Sequence, residues 1–332
     1  MDNGKHILGL GSAIMDLLYH VPDEFMENVQ GLKGGTQMMT ASEMDTLIGQ
    51  IPSDGKIVQG GSAANTIVAL SMLGDSTSLL CKLGRDGYGK QFKNALLSSN
   101  VSERQFKYSP LPTGRCLSLI TPDSERTMRT CMAAAETMSP EDLSPEDFPE
   151  GGLFLIEGYS IFNKPMLIKA VELAKANGME IHLDLASPEI AASQRDFLLG
   201  LIPDNIHTIY ANEMEAQAIS RENDPEKALD FIADICELAV VKLGKRGAML
   251  KRRSEETIRV PAQLVNAVDT TAAGDLWAAG FIHGYVNGWS LEDAALFGSL
   301  TSAEVVQVTG SVLPPETWKR LRKSRPTTKQ YK

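Results

Sequence analysis

The sequence DTTAAGD occupies residues 269–275 and leads directly into LWAAGFIHGY at 276–285. Small and polar residues therefore precede a run with helical spacing, and Asp275 is the last residue before that run. The N–H groups at a helix start bind anions, and small side chains let the backbone approach a phosphate closely. Because phosphate would repel Asp275, we expect this residue to accept a proton from a hydroxyl that attacks a phosphoryl group. The alternative is an Asp or Thr N-cap on a core helix.

A second stretch, QGGSAANTIVALSMLG at 59–74, shows a similar arrangement. A double glycine precedes a run with helical spacing, and the run ends at Gly74, a residue typical of helix C-termini. Asn65 lies one turn inside the predicted helix, and its amide can both donate hydrogen bonds to a polyol and accept them. The alternative is a turn followed by a core helix with a solvent-facing Asn65.

The composition excludes several classes of protein. The chain has 332 residues, of which 43% are hydrophobic, and its formal net charge is −10. This acidic balance argues against a nucleic-acid partner and against binding to a membrane surface. No apolar run reaches the roughly 18 residues of a membrane span, and the start, MDNGKHILGLG, lacks the basic and apolar parts of a signal peptide. We therefore expect a cytoplasmic protein.

The four cysteines are scattered, without the spacing of a zinc site or of a redox motif. Two alternating runs, 114–121 and 126–133, flank a turn and predict a hairpin. A two-residue turn would set Cys116 opposite Cys131 in a hydrogen-bonded pair, whose wide spacing suits a disulfide poorly. In a cytoplasmic protein we expect two unpaired thiols.

Along the rest of the chain, short apolar strands alternate with helices. This order predicts a mostly parallel sheet covered by helices on both faces. We expect one large α/β domain, with the segments of about 17–58 and 108–132 forming a smaller β-rich attachment. The predicted strands are 6–10, 36–40, 78–83, 153–156, 180–185, 206–210 and 239–242, with an antiparallel pair at 248–251 and 257–260; the predicted helices are 63–73, 165–177, 213–219, 225–235, 275–287 and 291–307.

Together these stretches resemble the ribokinase/PfkB family of carbohydrate and nucleoside kinases, over nearly the whole chain. The resemblance implies a single kinase domain, 1–332, with a ribokinase-like three-layer α/β/α fold, a mostly parallel sheet and a small β-rich lid. The adenosine-kinase-like branch is the most similar, because of GSAIMD at 11–16, ERT at 125–127 and IEGY at 156–159. The other motifs that carry the resemblance are QGGSAANTIVALSMLG, CKLGRDGYG at 81–89, YANEMEA at 210–216, VVKLGKRGAML at 240–250 and DTTAAGDLWAAGF at 269–281.

The resemblance implies roles for residues that bind phosphate. Asp275 corresponds to the catalytic base, and the backbone of Ala272, Ala273 and Gly274 corresponds to an anion hole for the transferred phosphoryl group. The ATP-binding positions of the family are matched by Asn212, Glu215, Lys242, Gly244 and Gly247, and Glu215 would help to hold Mg²⁺ through water. The alternatives are a solvated helix acid for Glu215 and a simple hairpin turn for the two glycines.

Positions that bind acceptor hydroxyls in the family are matched by Asp16, Gly60, Gly61 and Asn65. A carboxylate suits this task because it can accept two hydrogen bonds from hydroxyls, and charge-assisted bonds are strong. The alternative for Asp16 is a loop acid that caps a turn.

Two further residues match the family's nucleoside-kinase branch. Arg126 corresponds to a lid arginine that reaches toward the phosphates and neutralises developing charge. Tyr159 lies where a ring can stack on a nucleobase or sugar face. The alternatives are a solvated arginine and a core tyrosine.

The chain departs from the family at two positions. The usual fingerprint is D-T-x-G-A-G-D, and Ala272 replaces its first glycine. If this position needs a positive φ, alanine costs about 1 kcal/mol or more. Ser12 stands where adenosine kinases usually carry Asn, which leaves the nucleoside preference open.

The resemblance implies an ATP-dependent, Mg²⁺-using kinase that phosphorylates a primary hydroxyl of a nucleoside or sugar. Adenosine or a related nucleoside is the first acceptor we expect, followed by ribose or a fructose-like sugar. A monovalent cation and a homodimer formed through the lid are also compatible with the resemblance, as is a lid edge protected within a monomer.

Two other functions remain as alternatives. Gly9-Leu10-Gly11 after a strand is typical of a dinucleotide-dependent dehydrogenase, but that motif needs a third glycine where this chain has Ile14. A non-catalytic nucleoside- or sugar-binding protein on the same scaffold is favoured by Ala272 and opposed by the presence of Asp275.

Overall fold

The computed structural model of the chain describes residues 5–123 and 125–326. Its strands are β1 (Ile7–Leu10), β2 (Ile14–His20), β3 (Thr36–Met38), β4 (Lys56–Gly60), β5 (Thr77–Gly84), β6 (Phe106–Ser109), β7 (Gly114–Ile120), β8 (Arg126–Cys131), β9 (Leu153–Glu157), β10 (Glu180–Asp184), β11 (Thr208–Asn212), β12 (Leu238–Lys242), β13 (Ala248–Arg252) and β14 (Ile258–Val260).

Its helices are α1 (Asp23–Met26), α2 (Ala41–Ile48), α3 (Ser62–Leu73), α4 (Gly87–Ser98), α5 (Lys164–Ala176), α6 (Pro188–Ser193), α7 (Arg195–Asn205), α8 (Glu213–Ser220), α9 (Pro225–Ile235), α10 (Ala273–Val286), α11 (Leu291–Val305) and α12 (Pro315–Leu321). Within the described ranges, none of them combines the length and the apolar character needed to cross a membrane.

Nine strands form the larger sheet, in the order β14-β13-β12-β11-β10-β9-β1-β5-β6. All neighbours from β12 to β6 pair in parallel, and β13 and β14 continue the sheet in antiparallel fashion. This confirms the predicted mostly parallel sheet.

Alternate residues of the central strands face two separate hydrophobic clusters. In β9, Leu153 and Leu155 pack into one cluster, and Phe154 and Ile156 pack into the other. The first cluster includes buried residues of α3, α4, α10, α11 and α12, and the second those of α5 to α9. The sheet is therefore the middle layer of a three-layer α/β/α domain, as predicted.

Five strands form a second sheet, called here the small sheet, in the order β3-β8-β7-β2-β4. It is built from residues 14–60 and 114–131. Residues 108 and 109, which the sequence assigned to the attachment, belong instead to β6 and pair with β5 in the larger sheet. The chain passes from one sheet to the other at 11–13, 61, 110–113 and 132–152.

The hairpin of β7 and β8 has a longer connection than predicted. Ile120 pairs with Arg126, so the connection between the strands is longer than a two-residue turn. The register is thereby shifted by one residue, and Cys116 faces Thr130. The predicted opposition of Cys116 and Cys131 is therefore wrong, whereas both are unpaired thiols, as expected.

Candidate active site

The carboxyl ends of four adjacent parallel strands lie at one edge of the larger sheet. β9 ends at Glu157, β10 at Asp184, β11 at Asn212 and β12 at Lys242. The register pairs Asp184 with Glu157, and Asn212 with Lys242. Ligands of open α/β sheets bind outside the carboxyl ends of their strands. These four side chains therefore mark the candidate site.

Asp275, in the first turn of α10, is bonded by two side chains of α3. Its Oδ1 accepts a hydrogen bond from Ser62 Oγ at 2.7 Å, and its Oδ2 accepts one from Asn65 Nδ2 at 2.9 Å. Withdrawal from water raises the pKa of Asp275 to about 6, although the hydrogen bond from Asn65 opposes the rise. The carboxylate is thus fixed in orientation and is a stronger base than an ordinary aspartate.

A lysine ammonium lies beside the start of α10. Lys242 Nζ donates to Asp184 Oδ2 at 2.9 Å, and both side chains are 13% exposed. A Cβ added to Gly274 would lie 3.3 Å from this Nζ. Burial favours the neutral amine, but the charges of Asp184 and Glu215 outweigh it and raise the pKa of Lys242. A fixed positive charge therefore adjoins the small residues that precede Asp275.

Asn212 and Glu215 form a reciprocal pair at the start of α8. The N–H and Nδ2 groups of Asn212 each donate to Glu215 at 2.7 Å, and Asn212 Oδ1 accepts from the Glu215 N–H at 2.9 Å. Glu215 is 3% exposed, which excludes a solvated helix acid. Burial, followed by the charge of Asp184, raises the pKa of Glu215. The pair is both a helix cap and a source of buried carboxylate oxygen.

A cavity of about 530 Å³ joins these groups. Of the predicted site residues, its lining includes Asn212, Glu215, Lys242, Gly244, Gly247, Ala273, Gly274 and Asp275. Gly244 and Gly247 have φ values of 57° and 92° and turn the chain between antiparallel β12 and β13. A Cβ on Gly247 would lie 1.9 Å from Val260 O. The two glycines are therefore a hairpin turn and a wall of the cavity at once.

Asp16 and the double glycine meet at the edge of the small sheet. β2 pairs with β4, and a Cβ added to Gly60 would lie 2.3 Å from Asp16 Oδ2. Gly61 has a φ of 92°, and a Cβ there would lie 2.4 Å from Ser12 O. Burial, with a contribution from the charge of Asp275, raises the pKa of Asp16 to about 7. Asp16 thus lies in a strand, which excludes the loop alternative.

Asn65 links the small sheet to α10. It is 7% exposed, which excludes a solvent-facing amide. Its Oδ1 accepts from Gln59 Nε2 at 2.8 Å, while its Nδ2 donates to Asp275. Asp275 therefore stands between the cavity on one side and the predicted acceptor-binding residues on the other.

Glu157 is a buried carboxylate of the site to which the sequence reasoning gave no role. Its Oε2 accepts from the Ala63 N–H at 3.0 Å, and its Oε1 accepts from the Ser12 N–H at 3.4 Å. Burial raises the pKa of Glu157 to about 7 despite these hydrogen bonds. The carboxylate therefore holds two of the connections between the sheets, the one at 11–13 through Ser12 and the one at 61 through Ala63 at the start of α3. Its signal in the sequence is an acid at the end of an apolar strand.

Arg126 and Tyr159 lie at the margin of the site. Arg126 Nη2 donates to Asp269 Oδ2 at 2.7 Å, and its Nη1 donates to Thr271 Oγ1 at 2.5 Å, which excludes a merely solvated arginine. Tyr159 belongs to the 3₁₀ helix Gly158–Phe162 and is 46% exposed, which excludes a core tyrosine. Contact of either side chain with a ligand stays a prediction.

Ala272 adopts the left-handed conformation, with φ 60° and ψ 10°, immediately before α10. It is the N-cap residue, and no side chain caps the helix, so the alternative of an Asp or Thr N-cap is wrong. A non-glycine residue in this region costs roughly 1 to 2 kcal/mol. The loop therefore contains local strain where glycine would have none.

We expect Ala272→Gly to stabilise the protein by about 1 kcal/mol, because relief of the left-handed strain outweighs the added entropy of glycine in the unfolded chain. Unfolding in urea, followed by circular dichroism, measures the difference. Ala273→Gly is the matched control: residue 273 is helical, and glycine there should cost about 1 kcal/mol. Destabilisation of the same size by both substitutions would contradict the expectation.

The chain is similar to known proteins in both sequence and structure. A sequence profile described as pfkB family carbohydrate kinase matches residues 37–318. A ribokinase from Staphylococcus aureus (strain COL) is 28% identical over 268 residues, which cover 77% of this chain and 84% of that protein. Adenosine kinase 2 from Arabidopsis thaliana is 24% identical over 332 residues, which cover 93% of this chain and 95% of that protein.

The crystal structure of adenosine kinase from Sinorhizobium meliloti is similar throughout, with a TM-score of 0.86 and 29% identity over 96% of this chain and 99% of that chain. A ribokinase from Thermotoga maritima shares the fold, with a TM-score of 0.73 over 96% of this chain and 100% of that chain. The chain therefore belongs to the pfkB family of carbohydrate kinases, phosphotransferases that act on hydroxyl groups.

Proposed function

We propose that this sugar or nucleoside kinase transfers the γ-phosphoryl group of ATP to a primary hydroxyl of a nucleoside similar to adenosine, with Asp275 as the base. The observation that carries the proposal is the position of Asp275 between the cavity of about 530 Å³ and the cluster of Asp16 and Asn65. Ligands on the two sides would bring a hydroxyl and a phosphoryl group to the same carboxylate.

Asp275 has the properties that a base for this reaction needs. With a pKa of about 6 it is mostly ionised at neutral pH, yet it binds a proton more strongly than an ordinary aspartate. Ser62 and Asn65 each occupy one of its oxygens and fix the carboxylate plane. The remaining lone pairs can accept the proton of an acceptor hydroxyl.

We assign the anion hole to the backbone of Ala272, Ala273 and Gly274. The start of α10 favours negative charge, and Lys242 Nζ adds positive charge beside Gly274. The Ala273 N–H donates to Thr270 O at 3.2 Å in this structure. To bind a phosphoryl oxygen, the Ala273 N–H must give up this long hydrogen bond. The conformation of the loop therefore decides whether the anion hole can accept the phosphoryl group.

The donor set fits Mg²⁺ held through water. No group of three or more His, Cys, Asp or Glu side chains forms a metal cage in the part of the chain that the structure describes. Mg²⁺ needs no such cage, because it keeps several waters and is bound by one or two carboxylates together with phosphates. Glu215 and Asp184 both line the cavity. A bound ion would supply neutralisation of the phosphate charge.

The acceptor side suits a polyol attached to a flat ring. Asp16 and Asn65 offer a carboxylate and an amide to hydroxyl groups, and the half-exposed Tyr159 offers a ring for stacking on a base. The 29% identity to an adenosine kinase, over 96% of this chain, supports a nucleoside.

A ribose-like sugar is the second candidate. Ser12 stands where adenosine kinases usually carry Asn, so this chain lacks one feature of that branch. The relation to a ribokinase, over 77% of this chain, supports the same view.

ADP release in a coupled assay, with a panel of nucleosides and sugars, tests the proposal. We expect adenosine or a related nucleoside to give a kcat/KM at least about tenfold above that of ribose. A preference for ribose would replace the nucleoside proposal and leave the kinase intact. Release of no ADP with any acceptor would support the binding-protein alternative. Parallel assays with K⁺, Na⁺ or neither test the monovalent cation.

We further propose a cytoplasmic protein that forms homodimers through the small sheet. The free thiols of all four cysteines suit a reducing compartment. Strands β3 and β4 are the edges of the small sheet, and edge strands can pair with a second copy. Light scattering at several protein concentrations tests the dimer, and a constant monomer mass would refute it.

A further inference from the structure

The carboxylate of Asp269 accepts hydrogen bonds from three separate segments of the chain. Its Oδ1 accepts from the N–H and Oγ1 of Thr271, at 2.9 and 2.7 Å. Its Oδ2 accepts from the Gly310 N–H at 2.8 Å and from Arg126 Nη2 at 2.7 Å. The Asp269 side chain is 8% exposed. A buried carboxylate with so many donors fixes the backbone around it.

Arg126 belongs to the small sheet, whereas Asp269 belongs to the segment that leads into α10. The guanidinium donates to Asp269 and, through its other terminal nitrogen, to Thr271. This planar fork bridges two acceptors at once, which a lysine ammonium cannot do with the same geometry. A second contact joins the same parts: Lys56 Nζ, in β4, donates to Thr309 O at 3.4 Å, next to Gly310.

The residues bonded by Arg126 precede the strained part of the loop. Thr271 is followed by Ala272 in its left-handed conformation and by Ala273, whose N–H bonds to Thr270 O. A strained residue persists only where its surroundings over-determine the backbone. The hydrogen bonds of Asp269 supply such a constraint, and one of them comes from the small sheet.

We propose that Arg126 is a latch: by bonding Asp269 and Thr271 it couples the position of the small sheet to the shape of the loop 269–274. Closure of the small sheet over the acceptor and preparation of the anion hole are then one event. Arg126 is a positioning residue in this proposal, because it acts through the loop and not on the phosphate. The catalytic consequence rests on the proposed function; the coupling itself does not.

Hydrogen exchange of the ligand-free protein tests the coupling without any need for activity. Arg126→Gln removes the latch, and we expect exchange in peptides covering 268–276 to become about tenfold faster. Lys93→Gln is the matched control, because Lys93, in α4, forms its ion pair with Glu103, and neither residue belongs to the small sheet or to the loop. Equal exchange in the wild type and in Arg126→Gln would overturn the latch, whatever the acceptor proves to be.

Kinetics then separate a latch from a direct phosphate contact. We expect Arg126→Gln and Asp269→Asn each to lower kcat by about 10- to 100-fold, with the KM for ATP changed less than about threefold. The kcat of the double variant should be no lower than that of the poorer single variant, because both substitutions remove the same hydrogen bond between Arg126 and Asp269. Multiplication of the two effects, or a rise in the KM for ATP with Arg126→Gln alone, would overturn the proposal.

Asp269→Asn is the variant most exposed to misfolding, because it alters a buried carboxylate. If it does not fold, Arg126→Lys replaces it in the comparison. The lysine keeps the charge but cannot bridge both acceptors, so we expect loop exchange and kcat between those of the wild type and Arg126→Gln. If Arg126→Lys showed the fast loop exchange of Arg126→Gln but kept the wild-type kcat, the result would contradict a latch that serves catalysis.

Discussion

Asp275→Asn should lower kcat by about 100- to 10,000-fold while ATP and acceptor still bind. The amide cannot accept the proton of an attacking hydroxyl, but it has nearly the same volume as the carboxylate. Its oxygen can keep the hydrogen bond from Ser62, which lies at 2.7 Å from Asp275 Oδ1. Its Nδ2 would face the Asn65 amide, so we also expect Asn65 to adjust.

Coupled ADP release measures kcat for this variant, and calorimetric titration measures the binding of each ligand. Asp230→Asn is the matched control, because Asp230, in α9, forms an ion pair with Lys251, and α9 packs on the face of the larger sheet opposite to α10. We expect wild-type kinetics for the control. A kcat near the wild-type value for Asp275→Asn would exclude this residue as the base.

Gly60→Ala should raise the KM for the acceptor by about 10- to 100-fold and leave the KM for ATP nearly unchanged. The added methyl group would lie 2.3 Å from Asp16 Oδ2 and 2.4 Å from its Cγ. Asp16 is short and enclosed, so its carboxylate must rotate away from the position proposed to hold acceptor hydroxyls.

Steady-state kinetics with the best acceptor of the panel measure this effect. Gly200→Ala, in α7, is the matched control, because a Cβ there meets nothing within 4 Å. It should leave both KM values unchanged and favour the helix slightly. An unchanged acceptor KM for Gly60→Ala would remove Asp16 from the acceptor site.

Helix boundaries were predicted well where the signals are local. The helix predicted at 225–235 is α9, whose start is set by Asp224 as N-cap and Pro225 in the first turn. The helix predicted at 63–73 ends at Gly74 with a φ of 111°. Each of these signals acts on the few residues beside it, so no knowledge of distant contacts is needed.

The strands of the small sheet were harder to predict, because their partners are remote in sequence. β2 and β4 were missed; β2 pairs Asp16 with Cys116 on one side and with Val58 on the other. Asp16 interrupts an otherwise apolar run, and this weakens the strand signal of β2 in the sequence. The β7–β8 register was wrong for a different, local reason: Asp123 accepts a hydrogen bond from Thr121 Oγ1, and the connection is longer than a two-residue turn.

The candidate site shows the same division between local and remote information. The cap formed by Asn212 and Glu215 is visible in the sequence as a three-residue spacing. The roles of Glu157 and Asp269 depend on partners that are 94 and 143 residues away, Ala63 and Arg126. The left-handed conformation of Ala272 depends on the folded loop, so the sequence raised the question without answering it.

The order of the proposed site residues along the chain has a consequence for how the recognised acceptor can change among related kinases. The residues proposed to hold the acceptor, from Asp16 to Tyr159, precede in sequence those proposed to hold the nucleotide and Mg²⁺, which begin at Asp184. Substitutions or exchange of the earlier segment can therefore alter which alcohol is recognised while the later segment is inherited unchanged. Asp275 contacts Ser62 and Asn65 of the earlier segment and also lines the cavity formed by the later one, so it must stay unchanged when the acceptor changes.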